Sequence, residues 1–410
     1  MSRRALVFFL AITGISFALG ACGGSGGGGG SLTTPPDLPS TTGSGTGDGS
    51  TPPPAAMPSP PPSCGCTMIK EKPTKDKLLG GIAVGDDNNL YATTAVGVDI
   101  FNQQLNLLPS PSPAEARIRQ TWPSVPKNSA PQGIVAQAGA AINVLGTIRG
   151  GTSSASGFIA SSGPQPTPDS RPIVAQYNTD TDTWFNVSQG VFGDKWVSLS
   201  APGGTSVFVV GDHFTSSKGW TGYLFGIGVG CISPSFTHPL GASTIGPDGN
   251  LWVATDPSLN SKSPSNIKTN PSMLFVVSPT TGAIKQSFTL PSGSHVSAMA
   301  AGGHAVWFTD DGLNDVGFVP IGGTGFTLIP LPDHGTAQAP VSITPDSIGR
   351  MWFTEFNGKR VGYVTPMTQL ITLFKVTGAP IGIVGCVRGQ NCPAQNVFFA
   401  EVAALGNASF

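Results

Sequence analysis

Beyond residue 66 the chain reads as short apolar runs broken by Gly, Pro, Asn and Asp, with little of the three-to-four-residue spacing that marks a helix face. Such runs predict β-strands joined by tight turns. Three stretches repeat one another: Ser243 to Thr255, Ala298 to Asp310 and Ile343 to Glu355. In each, an apolar run is followed nine residues later by a tryptophan (Trp252, Trp307 or Trp352) that opens a second run. Pro247-Asp248-Gly249 and Pro345-Asp346-Ser347 supply the turns between runs: proline presets φ, aspartate accepts nearby amide hydrogens and glycine tolerates positive φ.

Fainter copies begin at Ile82 (reaching Tyr91), at Ile134, at Leu199 (reaching Phe208) and at Ile383, where an insertion holding Cys386 and Cys392 precedes Val397 to Glu401. Seven copies about 40 to 65 residues apart predict an all-β fold, a seven-bladed β-propeller with four strands per blade. Third strands are expected at Met273 to Val277 and Arg360 to Val364, and fourth strands at Ile284 to Phe288, Thr327 to Ile329 and Ile371 to Phe374. The seventh copy reaches Phe410 with only two or three strands used, and an unclosed ring would leave a bare edge. Thr67 to Lys72 alternates like the fourth strands and is the expected donor of the missing one. That closure would bring Cys64 and Cys66 towards Cys386 and Cys392, where a disulfide could lock the ring.

Upstream the pattern changes character. Arg3 and Arg4 precede an apolar run from Ala5 to Leu19, which is too short to span a bilayer comfortably and ends in Leu19-Gly20-Ala21-Cys22. Residues 1–21 are read as a lipoprotein signal peptide, since the last four residues resemble the bacterial lipobox, which implies acylation of Cys22. A cysteine bearing two or three acyl chains holds a protein to a membrane without a spanning helix. Gly23, instead of aspartate, follows it, which points to the outer membrane or its periplasmic face. Residues 22–66 are almost entirely Gly, Ser, Thr and Pro and predict a lipid-anchored, disordered linker, because they offer too little apolar surface to offset ordering entropy. Residues 67–410 form the expected propeller domain.

The whole chain of 410 residues carries 10% charged residues and a net charge of −1, so it lacks the basic surface that nucleic acid requires. The expected partners are the membrane, through Cys22, and an envelope ligand such as a peptide, protein or glycan. Apart from Cys22, five cysteines remain (Cys64, Cys66, Cys231, Cys386 and Cys392), an odd number that allows at most two bridges and leaves their pairing open.

Gly246-Pro247-Asp248-Gly249-Asn250-Leu251-Trp252 and Met351-Trp352-Phe353-Thr354-Glu355-Phe356-Asn357-Gly358-Lys359-Arg360-Val361-Gly362 resemble the repeats of the streptogramin (virginiamycin B) lyase family, a seven-bladed propeller. The resemblance is dense over residues 240 to 410 and sparse over 80 to 240. It implies a catalytic histidine in a segment of the form Glu-Pro-His-Gly-Ile, together with glutamates that hold Mg²⁺. At the place of that histidine the seven repeats carry Gly80, Gln132, Val197, Gly241, Val296, Val341 and Ile381. His295 stands one residue earlier, at the place of the proline, and is the candidate catalytic residue.

In a propeller blade the first strand runs along the central axis and the second returns, so the start of one and the end of the other meet at one opening. The second strands of the last three copies end in Asp310, Glu355 and Glu401. Hard oxygen ligands gathered there would suit Mg²⁺ or Ca²⁺, which makes the three candidate metal ligands. The alternative is that each carboxylate satisfies backbone amides at its own blade junction. His213, His238, His295 and His334 map to the same side, with His238 and His334 as candidate ligand loops, and His304 maps to the opposite side. The expected function is a non-catalytic binding module of the envelope, and the alternative is a metal-dependent lyase or hydrolase acting at the central pore.

Overall fold

The computed structural model describes residues 67–85, 87–94, 97–108, 134–137, 141–149, 158–159, 170–178, 183–189, 194–200, 207–215, 219–226, 230–257, 271–332, 338–386 and 396–409. Among them the regular elements are all strands, assembled into seven antiparallel sheets. The fourth blade is representative, with Leu240–Ile245 innermost, then Leu251–Thr255, Met273–Val277 and Ile284–Thr289. Blades five and six repeat this order from Val296–Gly302 and from Pro340–Pro345. The innermost strands of successive blades lie side by side, and Pro380–Gly385 of blade seven meets Leu78–Val84 of blade one. The expected third and fourth strands all form.

Closure happens where the alternation predicted it. Met68–Pro73 pairs antiparallel with Ala404–Ser409, from Met68 opposite Ser409 to Pro73 opposite Ala404, and becomes the outer strand of blade seven. Cys386, buried at the end of that blade's inner strand, is disulfide-bonded. Cys22, Cys64, Cys66 and Cys392 lie outside the described residues.

The core is a set of layers between blades, and strand geometry explains them. Side chains on a strand point alternately to its two faces. Trp307 packs with Ile343, Met351 and Phe353 of blade six, whereas its neighbour Phe308 packs with Trp252, Leu274 and Phe288 of blade four. Trp352 and Phe353 divide in the same way between blades seven and five. A buried indole also needs a partner for its N–H, and the turn aspartates supply it. Asp248 accepts from the Asn250 amide and from Trp252 Nε1 at 3.2 Å, and Asp346 accepts from the Ile348 and Arg350 amides and from Trp352 Nε1 at 2.8 Å. In blade one Asp87 plays this part for the Tyr91 hydroxyl at 2.7 Å. In blades one, four and six an aspartate thus ties the hairpin turn to the aromatic core.

Candidate functional site at the channel mouth

Where the innermost strands begin, a cavity of about 530 Å³ opens on the central axis. Its wall includes Gly80, Gly241, Val296, Val341 and Ile381, residues drawn from five blades that the repeat register assigned to one equivalent position. That register therefore located the channel lining. Ser243, Ser297, Ser342 and Met299 line it further. Phe356, at 39% exposure, stands at its edge.

His295 sits in this wall, immediately before Val296–Gly302. Its Nδ1 is 2.5 Å from Asp311 Oδ1 and its Nε2 is 3.3 Å from Asp256 Oδ1. Asp256 follows the second strand of blade four and Asp311 follows that of blade five, so the imidazole bridges two blades. The local chain holds it in place. Asp310 Oδ1 accepts from the amides of His295, Gly312 and Leu313 at 2.9, 3.1 and 3.0 Å, and the Asp311 amide donates to the His295 carbonyl. Glycine is required at 312, because a Cβ there would lie 2.1 Å from the Gly293 carbonyl oxygen.

Burial disfavours a charged imidazole, but the hydrogen bonds to Asp256 and Asp311, together with their negative charges, outweigh it and push the His295 pKa up to about 10. At neutral pH the group is an imidazolium with both nitrogens donating.

The expected metal ligands sit at the blade junctions. Asp310, Glu355 and Glu401 end equivalent strands, opposite Val296, Pro340 and Pro380 respectively. Each is buried and each serves its own blade. Asp310 binds the loop amides just described, Glu355 pairs with the Arg360 guanidinium that faces it across the hairpin, and Glu401 Oε1 accepts from the Gly378 amide at 3.0 Å. Burial pushes the Glu401 carboxyl up, with the Gly378 hydrogen bond opposing. Among the described residues no three His, Cys, Asp or Glu side chains are grouped so as to hold one metal ion. The contacts of the three carboxylates are those of the blade-junction alternative.

His238 is exposed, with Nδ1 3.0 Å from Thr237 Oγ1, and it does not line the cavity. His334 lies outside the described residues. Sequence reading missed Asp256 and Asp311. The signal was available, since Thr255-Asp256 and Asp310-Asp311 occupy the same place in successive repeats.

No protein-family model matches the chain, and no curated protein sequence matches it. Solved structures do. Virginiamycin B lyase from Staphylococcus aureus superposes with a TM-score of 0.54 at 16% identity, over 84% of this chain and 99% of that one. The chain is a seven-bladed β-propeller of that architecture. A catalytically inactive histidine-to-alanine variant of the same lyase, solved with quinupristin, gives 0.53 at 15% identity over 84% and 99%. The propeller domain of Cps50 (Swd1) from Myceliophteria thermophila gives 0.53 at 9% identity over 83% and 100%. Identities this low establish the shared fold and leave activity to be argued from the site.

Proposed function

We propose that this protein is an exported propeller lipoprotein, anchored to the envelope through acylated Cys22, that binds an envelope peptide, protein or glycan at the His295 end of its channel without catalysing a reaction on it. The observation that carries the non-catalytic reading is the Asp256–His295–Asp311 bridge. A general base must be unprotonated near the working pH and free to reach its proton. His295 is held charged, with both nitrogens engaged. The cavity is of a size suited to one small ligand or the end of a larger one, with carboxylates, hydroxyls and an aromatic edge for contacts.

The alternative, a metal-dependent lyase, draws on the shared fold and on a histidine at the channel mouth. Incubation with quinupristin and Mg²⁺ separates the two. The binding reading expects the macrocycle to stay intact, and a linear product that disappears in His295→Ala would establish the lyase. Binding is sought with a panel of short peptides and oligosaccharides by ligand-observed NMR, and signals lost in Asp311→Asn would support the site. Anchoring is tested by Cys22→Ser, which should leave the protein unacylated; a native protein whose Cys22 carries no acyl group would end the lipoprotein reading.

A further inference from the structure

The large apolar side chains exposed on the described surface are distributed unequally between the two ends of the propeller. Phe356 follows Glu355, at the end where the channel mouth opens. The others are Met68, Leu107, Ile284, Ile348, Met367 and Leu370, from 36% exposed at Leu107 to 78% at Met367. Register places all six at the opposite end. Ile348 lies in the turn after Pro340–Pro345, and Leu370 pairs with Thr365 beside the turn that holds Met367. Met68 pairs with Ser409, itself opposite Asn396 at the foot of blade seven. Ile284 pairs with Val277, which faces Leu251 at the foot of blade four, and Leu107 bridges Phe101 at the foot of blade one.

Charge is distributed in the reverse sense. At this end the turns Asn102 to Asn106, Ser278 to Ala283, Ile321 to Phe326 and Pro366 to Gln369 contain no Asp, Glu, Lys, Arg or His. Asp87, Asp248 and Asp346 are engaged by their own turns and aromatics, Arg350 is paired with Asp346, Lys285 donates to Asn250 Oδ1 at 2.6 Å, and His304 stands in the turn that joins the first two strands of blade five. The channel end carries Lys75, Lys77, Asp256, His295, Asp311 and Lys359.

The chain also enters at this end, the poorer of the two in charge. Met68 opens the outer strand of blade seven there, so Cys22 lies at most roughly 160 Å away along the preceding segment. We infer that this end rests on a lipid surface, with Met367, Leu370, Ile348 and Met68 at the contact and the His295 cavity facing away. The direction of the membrane rests on the proposed anchoring through Cys22; the contact rests on the side chains themselves. A tether attached at the same end keeps lipid at high local concentration, so shallow insertion suffices. Separate apolar tips spread over blades six, seven and one suit an interface plane, and the low density of charge limits the desolvation that would oppose approach.

The test uses the chain from residue 22 with Cys22→Ser, so that neither signal peptide nor acyl chain contributes, floated with vesicles of phosphatidylethanolamine and phosphatidylglycerol. Flotation is expected. The double variant Met367→Asp, Leu370→Asp should lower partitioning at least about tenfold, roughly 1.4 kcal/mol, whereas Ala403→Asp at the channel end should not change it. Melting curves check folding, and Met367→Ser with Leu370→Ser provides a milder pair. Absence of flotation, or flotation indifferent to both double variants, overturns the inference. So does a change of oligomeric state in the variants without vesicles, which would mean that the face pairs copies of the chain. The mass of the Cys22 peptide in the native protein reports on anchoring separately.

Discussion

Replacing His295 by Gln should change how stability depends on pH, and the structure gives the size. The rise of the His295 pKa from 6.5 to about 10 corresponds to about 5 kcal/mol if taken in full. The side chain is 22% exposed and tightly coupled to two carboxylates, so about 2 to 4 kcal/mol is a realistic total. The folded protein holds a proton that the unfolded chain releases near pH 6.5. The stabilisation is therefore complete below about pH 6.5 and is lost as pH rises towards 10. Between pH 7 and pH 9 the loss should be about 2 kcal/mol in denaturant unfolding. Other groups also titrate at high pH, so the quantity to compare is the difference between wild type and His295→Gln, which should shrink across that window. A difference that is constant from pH 6 to pH 9 would refute the bridge as described.

The remaining predictions concern the ring. A chain beginning at Leu78 lacks Met68–Pro73, exposes the Ala404–Ser409 edge and should melt about 10 °C below one beginning at Ser63; equal melting temperatures would rule out the closure. Glu355→Gln removes the buried charge that faces part-buried Arg360 and should cost about 3 kcal/mol, whereas chelators should leave the wild-type melting curve unchanged. A chelator-sensitive curve that Glu355→Gln makes insensitive would restore the metal reading. Trp352→Ala empties the layer between blades six and seven and should cost about 3 to 5 kcal/mol by urea unfolding.

The propeller was readable because its cause is local and repeated. A turn aspartate and an aromatic a few residues on recur in the sequence, and in the structure they are hydrogen-bonded, as in Asp346 with Trp352. Closure was readable because an edge without a partner demands one, and Thr67 to Lys72 had the right alternation. The local partner of Glu355 was also present in the sequence. Six residues from Glu355 to Arg360 form a tight hairpin whose ends face each other, so the nearest cation lies in the same blade. The pairing of His295 with Asp256 was hidden, because it crosses between blades and depends on how far one sheet is rotated against the next. Asp311 was hidden by its neighbour, since the backbone turns between them and aims Asp310 at amides and Asp311 at the imidazole.

The central claim is that His295 is a fixed cation and not a base. Nitrogen-15 NMR of the imidazole at pH 8 reads this directly, with Asp256→Asn and Asp311→Asn used to assign the signal. Both ring nitrogens should carry protons at pH 8. A neutral ring that titrates near pH 6.5 would contradict it and return His295 to the role of general base.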